Sequence, residues 1–463
     1  MLNILFPYVM QLHILQLEEY NPIRFLTWVL SNPFKRYYSV KKKLVWTFKA
    51  KFILYSALIY VIIFNLVLIL LFKCVGIFIG IMLATQAYIF LLAGILTIKP
   101  YEILNRTRVK RDIGGKILSL KQKNLKIIGI AGSYGKTSVK EFLYGILKTK
   151  YKVLRTPESY NTLFGVAKVI DYELDDYYDF FICEMGAYKI GEIKEICEMV
   201  KPDHAILTGI NEQHIDRFKK IENTIKAKFE ILEYSDDNGF KVLIGTNTYV
   251  HNNYLKYADT AVLYGLEQSG FFVKNVESTK TGSKFTMMLN GNQFEATSKL
   301  IGNSNIENIL AAATMATLLG VEPNLILQAI SNLTPVSHRL EIKTWQNGLT
   351  VIDDAYSSNV TGFKAALDLL GTFSTLEKVI VTPGIVELGN KTQEIHNELG
   401  KLIDLTCDKV LLIGKNERTL AINEGISNKE KVVFINSLEE LPKHLTNTNN
   451  SIALIENDLP DNY

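Results

Sequence analysis

Residues 126–138, KIIGIAGSYGKTS, form an apolar run that ends in a glycine turn, and Lys136 and Thr137 follow that turn directly. This pattern predicts a buried strand, a loop and the start of a helix. In such a loop, backbone N–H groups and the helix N-terminus can bind phosphate, Lys136 can neutralise it and Thr137 can ligate magnesium. The strict phosphate-loop motif has glycine at position 130, where this chain has Ile130. The shorter GxxGKT form, taken alone, is also compatible with a chance match or another kind of loop.

Outward from this loop, apolar strand-like runs alternate with amphipathic helical segments, which is typical of a parallel α/β sheet. KIIGIAG, DFFICEMG, HAILTGI and KVLIGT are predicted strands. The runs AVLYG, FFVKNVES and SKFTMMLNGNQFEATS predict antiparallel strands, and a helix over 306–319 follows them. After Pro335 a second alternation predicts a smaller dinucleotide-fold-like sheet. The predicted class is therefore α/β, with a central, mostly parallel-sheet domain over 124–335 and a C-terminal Rossmann-like domain over 336–463.

Two charge-free apolar runs, residues 52–71 and 75–98, are each long enough to span a bilayer as a helix. Only residues 72–74 separate them, so we predict a tight transmembrane hairpin. Both outer flanks are rich in Lys and Arg, and the positive-inside rule then places the rest of the chain in the cytoplasm. Residues 1–123 are thus predicted to anchor the protein in the cytoplasmic membrane, with 1–40 as an interfacial segment. The alternative is a buried helical hairpin of a soluble protein.

The net charge and the cysteine content argue against a nucleic-acid-binding protein and against a zinc- or disulfide-stabilised one. The net charge of +4 is too small to indicate a nucleic-acid partner. The four cysteines are far apart in sequence and form no CxxC pair, so neither a zinc site nor a disulfide framework is expected.

The loop GSYGKTS resembles the ATP loop of the Mur ligases, the family that adds amino acids to peptidoglycan precursors. Further motifs resemble that family in its own order: EMGAYKIGEI at 184–193, GINEQHIDRF at 209–218, AKFEI at 227–231, NSNIENILAAA at 303–313, then HRLE at 338–341 and IDDAYSSN at 352–359. The likeness covers roughly 124–400 and is closest to the D-alanyl-D-alanine-adding (MurF) type. It implies an ATP-dependent ligase in which the central domain binds ATP and the carboxylate is activated as an acyl phosphate.

The resemblance also implies roles for individual residues. The catalytic residues would be Lys136, Lys228 and His214. Two magnesium ions would be held by Thr137, Glu184, His214 and a carbamylated Lys228. ATP would be bound by Gly132, Ser133, Gly135, Lys136, Thr137, Ser138, Asn308, Arg339 and Asp354. The acceptor substrate would meet Asn161, Tyr356 and Asn359. Because Arg339 and Asp354 belong to the C-terminal domain, catalysis would require domain closure.

Several of these residues also have an ordinary structural explanation. His214 can be a capping or surface histidine, and helical periodicity alone makes Lys228 an exposed lysine beside Glu230. Asp353 and Asp354 can belong to a solvated turn. Glu184 ends an apolar strand, where a carboxylate without a partner would be costly, so the functional interpretation is favoured there.

The chain departs from the family pattern mainly in its acceptor half. The membrane hairpin stands where MurF-type enzymes have a domain that grips uridine diphosphate. Thr162 follows Asn161 where the family usually has a second asparagine, and Ser357 and Val360 replace the usual Asn and Pro. VTPGIVELG differs from GDMxELG, and the chain ends in IENDLPDNY without a KGS strand end.

Three functions remain open on the sequence. The first is a cell-wall ligase that joins a D-alanyl-D-alanine-like amine to a precursor peptide. The second is a Mur-like ligase with a different or lipid-linked acceptor, presented at the bilayer. The third is a non-catalytic membrane scaffold that keeps a nucleotide-binding fold.

Overall fold

The computed structural model describes residues 6–33, 43–158, 160–212, 215–279, 281–345, 348–356, 358–444 and 450–457. They divide into two compact units, one within residues 1–108 and the other within 109–458.

The first unit is helical. Its elements are α1 (Tyr8–Leu17), α2 (Pro22–Ser31), α3 (Phe48–Ala84) and the first part of α4 (Ala87–Lys121). Side chains from all four helices form one apolar core, with Leu12, Leu15, Phe25, Ile53 and Leu91 fully buried at its centre. The segment predicted to be interfacial therefore includes two helices that pack on the long apolar ones.

A chain reversal lies inside α3. At Lys73 the backbone leaves the helical region (φ 51°, ψ −126°). A Cβ atom placed on Gly76 would lie 2.1 Å from the carbonyl oxygen of Leu68, and one on Gly80 would lie 2.1 Å from Oδ1 of Asn65. The two helical segments therefore run back along each other and are in close contact at Gly76 and Gly80. Small residues permit such close approach in apolar helix pairs. The reversal falls where residues 72–74 predict it.

The second predicted span, 75–98, is interrupted. Helix α3 ends at Ala84, and α4 begins at Ala87. The Ala84 carbonyl accepts a hydrogen bond from Tyr8 Oη, and Thr85 Oγ1 donates to the Met82 carbonyl at 2.6 Å, so side chains occupy helix-end carbonyls here. Judged by length and composition alone, α3 and α4 are each long and apolar enough to cross a membrane.

The second unit begins with the C-terminal part of α4, where Ile113, Ile117 and Leu120 are buried against the central sheet. That sheet has the order β2-β3-β1-β4-β5-β6, and its paired strands are parallel. Its strands are β1 (Lys126–Ala131), β2 (Val153–Arg155), β3 (Phe180–Glu184), β4 (His204–Leu207), β5 (Lys241–Ile244) and β6 (Val262–Tyr264). The helices along this part of the chain are α5 (Lys136–Leu147), α6 (Leu163–Tyr172), α7 (Glu192–Val200), α8 (Ile215–Phe218), α9 (Ile221–Glu233) and α10 (Thr248–His251).

A three-stranded antiparallel sheet follows, made of β7 (Phe272–Thr279), β8 (Gly282–Leu289) and β9 (Asn292–Ser298). Asn290 and Gly291 both have positive φ and make the turn between β8 and β9. The prediction that AVLYG is antiparallel was wrong, because β6 extends the central sheet in parallel with β5. Helices α11 (Asn303–Leu318) and α12 (Pro323–Asn332) complete the central domain.

The C-terminal sheet has the order β10-β11-β15-β12-β13-β14 and is parallel except for β10. Its strands are β10 (Glu341–Thr344), β11 (Thr350–Asp354), β12 (Glu377–Thr382), β13 (Lys409–Ile413), β14 (Val432–Ile435) and β15 (Ser451–Glu456). Its helices are α13 (Val360–Gly371), α14 (Thr392–Thr406) and α15 (Glu417–Gly425). The predicted α/β class, with a parallel central sheet and a C-terminal sheet domain, is confirmed. Strand β10 and helix α15 were not predicted.

Candidate active site

Three neighbouring strands bring the predicted site residues to one edge of the central sheet. Ile130 of β1 pairs with Glu184 of β3, and Ala131 pairs with Leu207 of β4. The phosphate loop, the Glu184 carboxylate and the segment after β4 therefore leave the sheet side by side at its carboxyl edge. Ligands of open parallel sheets bind at this edge.

The phosphate loop has no room for side chains at its two glycines. Gly132 and Gly135 have φ angles of 150° and 79°, which favour glycine. A Cβ atom on Gly132 would lie 1.9 Å from Oγ1 of Thr208, and one on Gly135 would lie 2.6 Å from Oδ1 of Asn308. Asn308, predicted to bind ATP, thus lies directly against the loop.

Tyr134 and Gly209 form a second close approach that the sequence did not reveal. A Cβ atom on Gly209 would lie 1.8 Å from the Tyr134 ring. Asn247 Nδ2 donates to Tyr134 Oη at 3.3 Å, and Ser133 N donates to the Gly209 carbonyl at 2.8 Å. The residues after β4 therefore contact the phosphate loop directly and stabilise its position.

Lys136 folds back over its own loop. Its Nζ donates to the carbonyls of Gly132 at 2.9 Å and Ser133 at 3.3 Å. The pKa of Lys136 is lowered to about 8, chiefly by burial; the charge of Glu184 opposes this shift and that of Arg339 adds to it. Thr137 is half-buried and Ser138 is buried in the first turn of α5, as a phosphate-binding helix start requires.

Glu184 is buried and fully partnered. Asn161 Nδ2 donates to its Oε1 at 3.0 Å, and Lys140 Nζ lies 3.2 Å from its Oε2. Burial would raise the pKa of Glu184, but Lys140 and Lys136 outweigh that effect and lower it, so the carboxylate is ionised. The structure thus brings Asn161 and Glu184 together and adds Lys140, which the sequence analysis missed.

Lys228 is not the exposed lysine that helical periodicity allows. It is only 4% exposed, and its Nζ donates to the Ala187 carbonyl at 3.0 Å, just beyond Glu184. Burial, and next the positive charge of Lys136, lower the pKa of Lys228 to about 7. An amine with this pKa is partly neutral at physiological pH and can act as a nucleophile.

A cleft of about 430 Å³ lies along α11, the helix that also carries Asn308. Its polar lining comes from Thr246, Asn303, Ser304 and Glu307, and its apolar lining from Gly265, Val273, Val276, Ile306 and Leu310. Thr246 Oγ1 donates to Oε1 of Glu307 at 3.1 Å. The cleft has the mixed polar and apolar lining of a small-molecule site.

Arg339 of the C-terminal domain acts electrostatically on Lys136 at this edge, and it also acts on Asp354. Arg339 contributes to the lowered pKa of Lys136, and its guanidinium lies 4.6 Å from the ring centre of Tyr356. Asp354 Oδ1 accepts from the Leu340 backbone at 3.2 Å. Burial raises the pKa of Asp354 to about 6.

Glu456 is a neighbour of Asp354 that the sequence analysis did not select. The two residues pair in register on β11 and β15, and Ser358 Oγ donates to Glu456 Oε1 at 2.6 Å. Burial and then the charge of Asp354 raise the pKa of Glu456 well above its usual value. A second negative charge beside Asp354 is unfavourable in this buried position, so Glu456 favours its protonated form.

Asp353 and Asp354 do not form a solvated turn. Asp353 is 7% exposed, and its Oδ2 lies 2.7 Å from Lys343 Nζ and 2.9 Å from His338 Nδ1. Asn359, predicted to meet the acceptor, caps α13 through its Oδ1, which also accepts from Asn211 Nδ2 at 2.7 Å.

His214, a predicted catalytic and metal-binding residue, lies outside the described residues. Within the described part of the chain, no three His, Cys, Asp or Glu side chains lie close enough to hold a metal by themselves. The ionised Glu184 carboxylate and the Thr137 hydroxyl are the hard oxygen donors that magnesium prefers, and phosphate oxygens commonly complete such sites. These residues therefore fit magnesium bound together with a nucleotide.

Two family models match the chain: the Mur ligase middle domain over 130–316 and the Mur ligase glutamate ligase domain over 338–454. UDP-N-acetylmuramoyl-tripeptide--D-alanyl-D-alanine ligase of Bacillus subtilis is 28% identical over 64% of this chain, which spans 64% of that enzyme. The enzyme of the same name from Buchnera aphidicola (subsp. Baizongia pistaciae) is 30% identical over 72% of each chain. The Escherichia coli enzyme is 28% identical over 68% of this chain and 71% of its own.

Solved structures with the same fold include MurF from Acinetobacter baumannii. It has a TM-score of 0.67 and 25% identity, and the match covers 75% of this chain and 77% of that one. MurF from Thermotoga maritima in complex with ADP has a TM-score of 0.68 at 22% identity, over 76% of this chain and 80% of that one.

Proposed function

The chain belongs to the Mur ligase family, and we propose that it is an ATP-dependent amide-bond ligase that activates a carboxylate as an acyl phosphate. The observation that carries this proposal is the shared edge of β1 and β3. There a glycine-bounded phosphate loop with Lys136 lies beside an ionised, buried Glu184. Phosphoryl transfer needs positive charge and positioning at one place, and this edge has the groups for both.

The described residues have separate roles in binding ATP and magnesium. The backbone N–H groups of the loop and of the first turn of α5 would bind the ATP phosphates, and Lys136 would leave its loop carbonyls to reach them. Thr137 and Glu184 would hold magnesium, which offsets the charge of the phosphates. The cleft along α11 would take the nucleoside, and Asn308 of the same helix lies against the loop at Gly135.

Lys228 supplies the remaining chemistry in this proposal. Its amine, with a pKa of about 7, would react with carbon dioxide to form a carbamate and release a proton. The carbamate is an anionic oxygen ligand, so the second magnesium would be held near the acceptor carboxylate by Lys228 and His214. Burial at 4% exposure excludes the bulk water that would otherwise solvate the free amine.

The substrates are proposed from the similarity of this chain to the matched relatives. The matched relatives are named for joining D-alanyl-D-alanine to a UDP-N-acetylmuramoyl tripeptide. We extend this to a cell-wall peptide precursor and a D-alanyl-D-alanine-like amine. Asn161, which holds Glu184, and Tyr356, which is half exposed, would then border the acceptor.

A second candidate is a lipid-linked acceptor in place of a UDP-linked one. The family models begin at residue 130, and the part of the chain before them contains two helices that are long and apolar enough to cross a membrane. An enzyme anchored in the cytoplasmic membrane, with its catalytic domains in the cytoplasm, would meet such acceptors at the bilayer surface. A non-catalytic scaffold is disfavoured, because it would require neither the buried Lys228 nor the ionised, buried Glu184.

The test is phosphate release by detergent-purified protein with ATP and magnesium. UDP-linked and lipid-linked muramyl peptides are each supplied with D-alanyl-D-alanine, beside a Lys136→Ala control. Release that depends on one acceptor and on Lys136 supports the ligase and names its substrate class. Folded protein that binds ATP but releases no phosphate with any acceptor would refute both ligase functions.

A further inference from the structure

The segment between β4 and α9 is tied to the C-terminal domain at both of its described ends. Before His214, Asn211 donates to Asn359, and Glu212 Oε1 lies 3.7 Å from Lys391 Nζ. After His214, Arg217 pairs with Glu387. Each contact joins a residue of the central domain to one of the C-terminal domain.

The Arg217–Glu387 pair is closer than the other ion pair, that of Glu212 with Lys391. Arg217 Nε and Nη2 both donate to Glu387 Oε1, at 2.9 Å and 2.7 Å. The side chains are only 16% and 5% exposed. In a charged pair so removed from water, each residue depends on the other, because either charge left alone would be buried without compensation.

Arg217 also connects the pair to the proposed metal-binding groups. Its guanidinium lies 4.3 Å from the ring centre of Tyr188, in the loop that follows Glu184. The next residue, Phe218, is 3% exposed, and Lys228 Nζ lies 5.6 Å from its ring centre. A displacement of α8 would therefore alter the surroundings of Lys228 directly.

Glu387 holds an unfavourable backbone conformation. Its φ of 62° lies in the left-handed region, which a non-glycine residue adopts at a cost. Such strain persists where surrounding contacts fix it, and the flanking Ile385 and Leu388 are buried at 2% and 1% exposure. The carboxylate is thus presented to Arg217 from a fixed point of the C-terminal domain.

We propose that Arg217 is a positioning residue that couples docking of the C-terminal domain to the metal-binding part of the site. Paired with Glu387, it holds α8 and Tyr188 in place beside Lys228. When the domains separate, the pair breaks and these groups lose that support. This inference rests on the proposed ligase function. It states that the enzyme uses magnesium efficiently only when the C-terminal domain is docked, and that the Arg217–Glu387 pair causes this dependence.

The test compares Arg217→Ala, Glu387→Gln and the charge exchange Arg217→Glu/Glu387→Arg in the full chain. Lys378→Ala is the matched control, because Lys378 pairs with Asp408 at 3.2 Å within the C-terminal domain alone. For each variant, kcat, the KM for ATP and the magnesium concentration for half-maximal phosphate release are measured. ATP binding without acceptor is measured separately.

We expect each single variant to lower kcat at least tenfold and to raise the half-maximal magnesium concentration several-fold. ATP binding should stay within twofold, the Lys378→Ala control should behave like the wild type, and the charge exchange should restore most of the loss. Unchanged magnesium dependence in folded Arg217→Ala protein would overturn the proposal. So would an exchange variant that is folded but no better than the single variants.

Hydrogen exchange separates this proposal from the ligase function. Arg217→Ala should speed amide exchange both in α8 and around Glu387, whether or not an acceptor has been found. If wild-type protein releases no phosphate but this coupled exchange is present, the ligase function fails and the domain contact stands. If exchange rises in α8 alone, the proposed coupling is refuted even where the enzyme is active.

Discussion

The ammonium group of Lys140 lies 3.2 Å from Oε2 of Glu184, and neither side chain is more than 1% exposed. Lys140 stands one helical turn after Lys136 and also donates to the Glu158 carbonyl. The second lysine of α5 is therefore buried against Glu184 and is not solvated. It keeps the Glu184 carboxylate charged and oriented before any metal arrives.

Replacing Lys140 with methionine should destabilise the protein strongly. The change keeps most of the side-chain volume but leaves Glu184 without its main counter-charge, and breaking a buried pair in this way costs about 3–5 kcal/mol. Urea unfolding of the detergent-purified protein measures the loss. The double variant Lys140→Met/Glu184→Gln removes both charges and should recover much of it. A single variant as stable as the wild type would show that the pair contributes nothing.

Replacing Gly209 with alanine should weaken ATP binding. The new methyl group would lie 1.8 Å from the Tyr134 ring, so this ring, which belongs to a residue of the phosphate loop, has to move. Overpacking of this kind costs about 1–3 kcal/mol, which corresponds to a loss of affinity of roughly five- to 150-fold. Calorimetric titration with ATP measures it. Gly209→Ala/Tyr134→Ala restores the space and should bind better than the single variant, and equal affinities would contradict the steric explanation.

The alternation of strands and helices could be predicted from the sequence because each apolar run is buried on both faces of a parallel sheet. Strand β10 could not, since EIKT carries little apolar periodicity and joins the sheet at its edge beside β11. The run AVLYG was assigned to the wrong sheet for a related reason. Three residues of strand carry no information about whether their partner is parallel or antiparallel.

Phosphate-loop glycines and Glu184 could be selected from the sequence because they follow strands at one sheet edge. Lys140 and Glu456 could not. A lysine within a helix normally indicates a solvated face, and only the packing of α5 against the end of β3 buries it. Asn359 shows the opposite case: a residue selected for the acceptor has its side-chain oxygen occupied by a helix cap and by Asn211.

Carbamylation of Lys228 should follow the neutral fraction of its amine. With a pKa of about 7, roughly a tenth of the amine is neutral at pH 6 and about nine tenths at pH 8. Carbon-13 NMR under labelled carbon dioxide at constant pressure should therefore show a carbamate signal that grows between these pH values. Lys228→Ala should lack it. A signal that persists in Lys228→Ala would place the modification elsewhere.

The same residue makes stability depend on pH. Its pKa is lower in the folded protein than the usual 10.5, so the unfolded chain binds more protons between about pH 7 and 10.5. Lys228 therefore contributes increasing stability as pH rises through that window. In Lys228→Met this contribution should be absent, and the urea midpoint measured at pH 7 and pH 9 should rise less with pH than in the wild type.

The Asp354–Glu456 pair should act in the opposite direction. Both folded-state pKa values are raised, that of Asp354 to about 6, so the folded protein binds more protons than the unfolded chain from about pH 4 upward. Stability is thus lost as pH rises through the folded-state values. Glu456→Gln removes one charge and should stabilise the protein at pH 8 by about 1 kcal/mol or more. Glu377→Gln, on the neighbouring strand β12, is the control, and an equal gain there would contradict the pair as its cause.

Cys74 offers a direct test of membrane topology, because it is exposed next to the reversal at Lys73, whereas Cys183, Cys197 and Cys407 are buried. If the part of α3 before Lys73 and the part after it, together with the start of α4, form a transmembrane hairpin with basic flanks in the cytoplasm, the tip at Lys73 faces the outside. A membrane-impermeant maleimide applied to intact spheroplasts should then label the wild-type protein and not Cys74→Ser. Labelling only after the membrane is broken would place the tip inside and refute the topology. Protein that reacts at Cys74 but washes off membranes at high salt would show instead that the two helices form a soluble hairpin.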